Sequence, residues 1–285
     1  MRSGRGPADD IGNIRTGVVV SNTIAQVLRS WGQSNKSRIR AVTRRLGYDV
    51  RRFRTSEFEH LQSLLTRHGI DYLIDVGANE GQYAQKMRAT GFSGPVVSFE
   101  PGKDAFSRLQ AHSCHDRSWT VRMLALGAAS GVADLNLSGN SVSSSLLAME
   151  DRHAAAAPES SYVGVEQVAI STLDAEVGQA GARLWLKVDV QGGELSVLEG
   201  ASQTLTRVSV VELELSLVPL YVGQPTMTSL VDYLSQRGFT LVALIPGLQD
   251  PASGDLLQVD GIFARPSETI ADRGEPWGDG FGAVV

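Results

Sequence analysis

The sequence predicts an α/β fold: a mainly parallel seven-stranded sheet with helices on both faces, preceded by a helical extension. Three observations carry the prediction. From Glu57 onward, apolar runs of strand length alternate with amphipathic stretches of helical period, and alternating β and α units imply a mainly parallel sheet covered on both sides. The run Leu73 to Val76 passes through a turn holding Gly77 and Gly81 into a polar, helix-compatible segment, as a strand does when it turns tightly into a helix. The first 56 residues are rich in arginine. They divide the 285-residue chain into a basic helical extension (1–56), an α/β domain (57–270) and a C-terminal tail (271–285).

The elements follow in order. Glu57 to His68 is an amphipathic helix through Phe58, Leu61, Leu64 and Leu65. Tyr72 to Val76 is the first strand, and the helix from Gly81 to about Thr90 stops at Gly91, a residue suited to ending helices. Pro95 to Phe99 reads as a buried strand, Lys103 to Ala111 as a helix, and Val121 to Leu126 as a third strand. Val132 to Leu137 alternates like a half-exposed strand. Residues 138–161, rich in serine, alanine and glycine, read as a mobile loop. Val165 to Ile170 reads as another edge strand. Leu184 to Val190 and Val208 to Leu215 are core strands, with a helix between them ending near Leu205. Thr228 to Arg237 is a helix closed by Gly238, and Thr240 to Ile245 and Gly261 to Ala264 finish the sheet. No internal repeat is present.

The stretch Leu73-Ile74-Asp75-Val76-Gly77-Ala78-Asn79-Glu80-Gly81-Gln82-Tyr83 points to a cofactor. Gly77 and Gly81 would let the backbone approach it closely. A dinucleotide site uses G-x-G-x-x-G, whose glycines and helix dipole receive a pyrophosphate. Here the spacing is G-x-x-x-G, Asn79 stands where that fingerprint has its second glycine, and Asp75 sits beside the turn. An acid there repels a pyrophosphate and welcomes a cationic amino-acid moiety, so the turn favours S-adenosylmethionine over NAD. Any doubly wound protein needs glycines at this turn, so the turn is not decisive alone. Glu100 ends the second strand 19 residues after Gly81, where an acid can accept both hydroxyls of a ribose. Its bland alternative is a solvated loop acid.

Ligands of such sheets bind at the carboxyl ends of the strands. Lys187 and Asp189 alternate along the fourth core strand, Glu212 and Glu214 along the fifth, and Ser216 follows. An unpaired buried charge is expensive, so four charges on buried strands indicate a purpose. That purpose is either chemistry or a satisfied ion-pair network, for example Lys187 with Glu214.

Four motifs in order, Asp75 to Tyr83, Phe99-Glu100-Pro101, Lys187-Val188-Asp189-Val190-Gln191-Gly192-Gly193-Glu194 and Val197-Leu198-Glu199-Gly200-Ala201, resemble the FkbM-type family of S-adenosylmethionine-dependent methyltransferases over roughly residues 70 to 265. The resemblance implies a Rossmann-like class I methyltransferase domain and O-methylation of glycosides, glycolipids or polyketide-derived natural products. It implies that Asp75, Gly77, Ala78, Asn79, Gly81 and Tyr83 line the methionine part of the cofactor. Glu100 beside Pro101 would hold the ribose, Ala125 and Leu126 would flank the adenine, and Asp189 would close the cofactor site. The segment Asn140-Ser141-Val142-Ser143-Ser144-Ser145-Leu146 resembles a serine-bearing stretch of the family, so Ser144 and Ser145 are acceptor-binding candidates. Tyr221 also matches the family pattern; its ring would pack beneath a sugar or belong to the core.

Methyl transfer to an alcohol needs a destination for the hydroxyl proton. A positioned carboxylate or histidine is one remedy, and a divalent metal that lowers the alcohol pKa is the other. Asp189 is the first candidate for base or metal ligand and Glu214 the second, with Lys187 beside them. Carboxylates without histidine suit Mg²⁺, although the sequence has no tight metal motif. His112, His115 and His153 lie near loops and read as surface residues. Glu194 opens a helix and suits its N-terminal dipole.

Composition bounds the partners. Cys114 is the single cysteine, which excludes an internal disulfide and a cysteine-rich zinc site and suits a reduced, cytoplasmic setting. No apolar run reaches the length of a membrane span, and Gly17-Val18-Val19-Val20 is too short for a secretory signal. Residues 1–55 hold 12 Lys and Arg against three Asp, net +9, whereas the remainder holds 14 basic and 28 acidic side chains, net −14. With Ile24, Val27, Leu28 and Trp31 at helical spacing before Arg38, Arg40, Arg44 and Arg45, the arm reads in two ways. It docks on the acidic domain as a lid or homodimer contact, or it lies on an anionic membrane beside a glycolipid acceptor. The acidic domain and the lack of aromatic interleaving argue against nucleic acid. Two rival functions remain: an NAD or nucleotide-sugar enzyme, and a cofactor-binding protein without catalysis.

Overall fold

The computed structural model describes residues 56–178 and 181–266. The basic N-terminal extension, up to residue 55, and the C-terminal tail 271–285 therefore lie outside the described residues.

The chain begins with α1 (Ser56–His68), β1 (Tyr72–Val76), α2 (Gln82–Thr90), β2 (Val96–Phe99), α3 (Lys103–Ser113) and β3 (Trp119–Arg122). It continues with β4 (Ala125–Leu126), β5 (Gly131–Ser138), α4 (Asp151–Ala156), β6 (Tyr162–Ser171), α5 (Leu173–Val177) and β7 (Leu184–Val188). The last elements are α6 (Glu194–Glu199), β8 (Val208–Ser216), α7 (Met227–Ser235), β9 (Thr240–Pro246) and β10 (Gln258–Ala264).

Among the described residues the main sheet has seven strands in the order β3-β2-β1-β7-β8-β10-β9. The five strands from β3 to β8 are parallel, and β10 runs antiparallel to both of its neighbours. This is the class I methyltransferase architecture that the resemblance implied. One face packs Leu73, Trp185, Val210 and Ile262 against Leu61 and Leu64 of α1, Met87 of α2 and Leu109 of α3. The other packs Ile74, Val76, Leu186, Val188, Val211 and Leu213 against α5, α6 and α7 through Leu173, Val197, Leu198, Leu230 and Leu234. Successive strand side chains point to opposite faces, so strands covered on both faces read as nearly continuous apolar runs. Among the described residues no helix is long and apolar enough to cross a membrane.

The structure corrects the expected strands in the middle of the chain. The predicted third strand divides at Met123 and Leu124, because β3 pairs with β2 whereas β4 leaves for a second sheet of order β4-β6-β5. β6, expected at an edge, is the central strand of that sheet. Residues 138–161 form an ordered segment that includes α4 and a 3-10 turn at Pro158–Ser160. Asn136 and Ser145 exchange backbone hydrogen bonds of 2.9 and 3.1 Å, and the Asn136 side-chain amide donates to the Ser145 and Leu147 carbonyls at 3.1 Å each. Serine-rich composition therefore marks side chains that hydrogen-bond locally here.

The small sheet is locked to the main domain at one backbone contact. A methyl group on Gly200, just after α6, would lie 2.0 Å from the Gly127 carbonyl oxygen beyond β4. Neither partner is a flexible side chain, so one backbone must move. Overpacking of this kind costs about 1–3 kcal/mol, and Gly200→Ala should lower the urea midpoint by the corresponding amount without changing the slope. A midpoint matching that of wild type would show that the two backbones separate freely.

Candidate active site

Packing alone demands glycine at both positions of the turn. Gly77 (φ 77°) and Gly81 (φ 89°) both occupy the left-handed region, where glycine carries no steric penalty. A Cβ on Gly77 would sit 1.7 Å from the Asp189 carbonyl oxygen, and one on Gly81 would meet the Trp119 and Leu109 side chains at 2.7–2.8 Å. Both glycines thus allow the turn to pack against the Asp189 backbone and against Trp119 and Leu109, and Gly77 also lines the cavity described below. Asn79 shares the left-handed conformation at φ 47°. Its backbone N–H donates to Glu100 Oε2 at 2.8 Å, while the Gly102 N–H donates to Glu100 Oε1 at 2.8 Å. Burial raises the Glu100 carboxyl to about 7 despite these two donors.

Side by side across β2, β1, β7 and β8 lie Ser98, Asp75, Lys187 and Glu212. The Trp119 indole N–H donates to Ser98 Oγ at 2.9 Å, and Ser98 Oγ donates to Asp75 Oδ2 at 3.1 Å. Asp75 is fully buried, and burial raises its pKa even with Lys187 nearby. The Lys187 ammonium donates to Asp189 Oδ2 at 3.0 Å, so the ion pair joins Lys187 to Asp189 rather than to Glu214. Burial would lower the lysine pKa, but the charges of Asp189 and Asp75 raise it. The Tyr83 hydroxyl donates to Glu212 Oε2 at 2.6 Å, and burial holds Glu212 at about 7.

Beyond β7, the Gln191 amide nitrogen donates to Asp189 Oδ1 at 2.7 Å and to Glu214 Oε2 at 2.8 Å. Its carbonyl oxygen accepts from the Tyr221 hydroxyl at 2.6 Å. Tyr221 is 1 % exposed and meets His153 edge to face, with ring centroids 5.1 Å apart. The ring therefore belongs to the core and cannot lie beneath a sugar, and His153, expected at the surface, is buried. Glu194 is buried too, with Oε1 accepting from the Val190 and Gly192 N–H groups at 3.2 and 3.1 Å.

A cavity of about 250 Å³ brings together Gly77, Asn79, Glu100, Pro101, Ala125, Leu126, Ser144, Ser145 and Asp189 from the sequence-derived set. Apolar walls from Leu124, Leu146 and Ile170 and polar groups from Ser141, Gln191 and Ser196 complete it. The serine segment closes one side, tied by Ser141 Oγ to Asn79 Oδ1 at 3.2 Å and by Ser145 Oγ to the Gln191 carbonyl at 2.6 Å. Asp75, Ala78, Gly81, Tyr83, Lys187, Glu214 and Tyr221 do not line the cavity. Of these, Lys187 hydrogen-bonds the lining residue Asp189, and Glu214 and Tyr221 hydrogen-bond the lining residue Gln191. Among the described residues no group of three His, Cys, Asp or Glu side chains is arranged to hold a metal ion.

The residues fit S-adenosylmethionine. Each Glu100 oxygen has used one acceptor site on a backbone N–H, and a carboxylate oxygen offers two, which leaves capacity for a ribose diol. Asn79 Nδ2, in the cavity lining, is buried without a partner, at the turn expected to meet the methionine moiety. Leu124 to Leu126 and Ile170 supply an apolar slot suited to a purine. Sequence reasoning missed Gln191 and Ser141. The signal for Gln191 was its place before Gly192-Gly193 at a strand end; for Ser141 it was present only as one hydroxyl among several.

The sequence model of the Methyltransferase FkbM domain matches residues 75–241. No curated protein matches the chain. Among solved structures, the chain is similar to an rRNA methylase from Streptococcus thermophilus at 11% identity and a TM-score of 0.42, over 75% of this chain and 99% of that one. It is also similar to magnesium protoporphyrin IX methyltransferase from Synechocystis PCC 6803 with bound S-adenosylmethionine, at 11% identity and 0.39, over 88% and 100%. A third is precorrin-6y C5,15-methyltransferase from Geobacter metallireducens GS-15, at 14% identity and a TM-score of 0.39, over 73% of this chain and 88% of that one.

The buried acids make stability depend on pH. Burial raises Glu100, Glu194 and Glu212 to about 7 and Asp260 to about 6, so the native state binds these protons more tightly than the unfolded chain does. The associated stability is present at low pH and is lost as pH rises through 6 to 7. His68 and His153, lowered by burial, oppose the trend with two groups against six, since burial also raises Asp75 and Glu214. Without ligand, Tm should be higher at about pH 6 than at about pH 8; the opposite order in a calorimetric scan would contradict the assignment.

Proposed function

The chain belongs to the FkbM methyltransferase family, and on that premise we propose that it moves a methyl group from S-adenosylmethionine to a hydroxyl of a sugar. The sugar belongs to a glycolipid or a glycosylated natural product, the acceptor class that the family resemblance implies. The observation that carries the reading is the convergence of the glycine turn, Glu100 and Asp189 on one cavity.

When bound, S-adenosylmethionine supplies a methyl carbon on a cationic sulfur that an acceptor oxygen can attack. Glu100 holds the ribose hydroxyls, and its two backbone donors fix the carboxylate before the ligand arrives. Asp189 faces the cavity and takes the acceptor's proton as general base. Lys187 keeps that carboxylate oriented from behind. The hydroxyls of Ser141, Ser144 and Ser145 give the cavity a polar side that suits an acceptor bearing several hydroxyls. The basic arm at residues 1–55 favours an acceptor at an anionic surface. No step in this scheme uses a metal.

Calorimetric titration with S-adenosylhomocysteine, with NAD as control, tests the cofactor half. Glu100→Gln should weaken binding about tenfold or more, since a hydrogen bond to a charged group contributes about 1.5–3 kcal/mol. In wild type the affinity should fall as pH drops through about 7, because protonation removes an acceptor that the ribose uses. Binding of NAD in place of the homocysteine would overturn the reading. Asp189→Asn should keep cofactor binding and lose methyl transfer to methyl and octyl glycosides; undiminished turnover would remove Asp189 from the chemistry.

A further inference from the structure

We propose that Gln191 is the positioning residue of the methyl-transfer site: its one side-chain amide links Asp189, Glu214 and Tyr221 into a chain that aims the Asp189 carboxylate at the cavity. The inference rests on the function proposed above and assigns a role to a residue that neither the family match nor the site motifs single out.

The backbone gives the first argument. Gln191 has φ 57°, in the left-handed region that is unfavourable by roughly 1–2 kcal/mol for a side-chain-bearing residue other than Asn or Asp. The two residues that follow are glycines, so a glycine at 191 would relieve the strain without disturbing the run. The strained conformation is held by Ser145 Oγ, which donates to the Gln191 carbonyl at 2.6 Å from the cavity-closing segment.

The side chain gives the second. Gln191 is buried at 7 % exposure, and its amide meets three partners at 2.6–2.8 Å. The orientation is set by chemistry. The two N–H groups face carboxylate oxygens, which only accept, and the carbonyl faces a hydroxyl, which can donate. A flipped amide would set its oxygen against two carboxylates. The Tyr221 hydroxyl therefore fixes which end of the amide faces the acids.

The surroundings give the third. Asp189 is held by Lys187 on one oxygen and by Gln191 on the other. Glu214 faces Asp189, Glu194 and Asp260 as well as Lys187, so it lies amid like charges. An amide that donates to both Asp189 and Glu214 keeps the two carboxyls apart without adding charge. Without it, Asp189 would be free to rotate about its remaining contact with Lys187.

The test uses the full chain. Gln191→Leu keeps the volume and removes the three side-chain hydrogen bonds while leaving the backbone contact with Ser145. It should lower Tm, because three partners lose a hydrogen bond, yet at temperatures where the fold is intact it should leave the affinity for S-adenosylhomocysteine and the KM for octyl glycosides near wild type while lowering kcat by about 10- to 100-fold, the scale of a misplaced catalytic group. Tyr221→Phe should lower kcat less, and the double variant should fall no further than Gln191→Leu, because Tyr221 acts through the amide. Additive losses, or a rise in KM with kcat unchanged, would overturn the proposal. The amide can also be read without an acceptor. By NMR, the Gln191 side-chain protons should exchange with solvent far more slowly than those of exposed Gln110 and Gln236, and faster in Tyr221→Phe. If wild type methylates none of the glycosides, the acceptor reading falls while this exchange still decides the chain: protection lost in Tyr221→Phe upholds it, and exchange as fast as Gln110 sinks it.

Discussion

The site depends on a buried ammonium. Lys187, with its side chain 12 % exposed, sits in register between Asp75 on β1 and Glu212 on β8 and reaches Asp189 along its own strand. Burial disfavours its charge, and the carboxylates more than restore it. The acids need the lysine in turn, because removing one partner of a buried pair leaves an uncompensated charge at a cost of about 3–5 kcal/mol. The same contact that steadies the sheet interior orients the carboxylate at the cavity, so packing and chemistry share one group.

Around that ammonium the acids divide by environment. Asp189 keeps contact with the cavity, whereas Glu212 is sealed behind Tyr83 and Glu194 is folded onto the backbone of its own helix entry. Like charges this close cannot all ionise without strain, and burial pushes several toward the protonated state.

The parts of this molecule that were legible in the sequence are those set by local rules. Tyr72 to Val76 and the end of α2 at Gly91 follow from apolar runs and a left-handed glycine. The cavity acids Glu100 and Asp189 were legible because strand ends place ligands in such sheets. Long-range partners were not. Tyr83 matched a family position, yet its hydroxyl answers Glu212, 129 residues away. Nothing local shows that Leu126 leaves the main sheet or that Asn136 orders the serine segment, because each depends on a strand that the chain has not yet formed at that point. His153 read as a surface group, and Tyr221 as either a sugar platform or a core ring, for the same reason: the contact that buries them joins segments about 70 residues apart in the chain, brought together only by the fold.

The glycine turn has an evolutionary consequence. Since Gly77 is required by the Asp189 carbonyl and Gly81 by Trp119 and Leu109, selection for folding alone would retain both. A descendant that lost its cofactor would keep the glycines and drift first at Glu100, Asn79 and Gln191, whose side chains or strained backbones serve the cavity. The glycines that first draw the eye would thus persist whether or not the cavity is used.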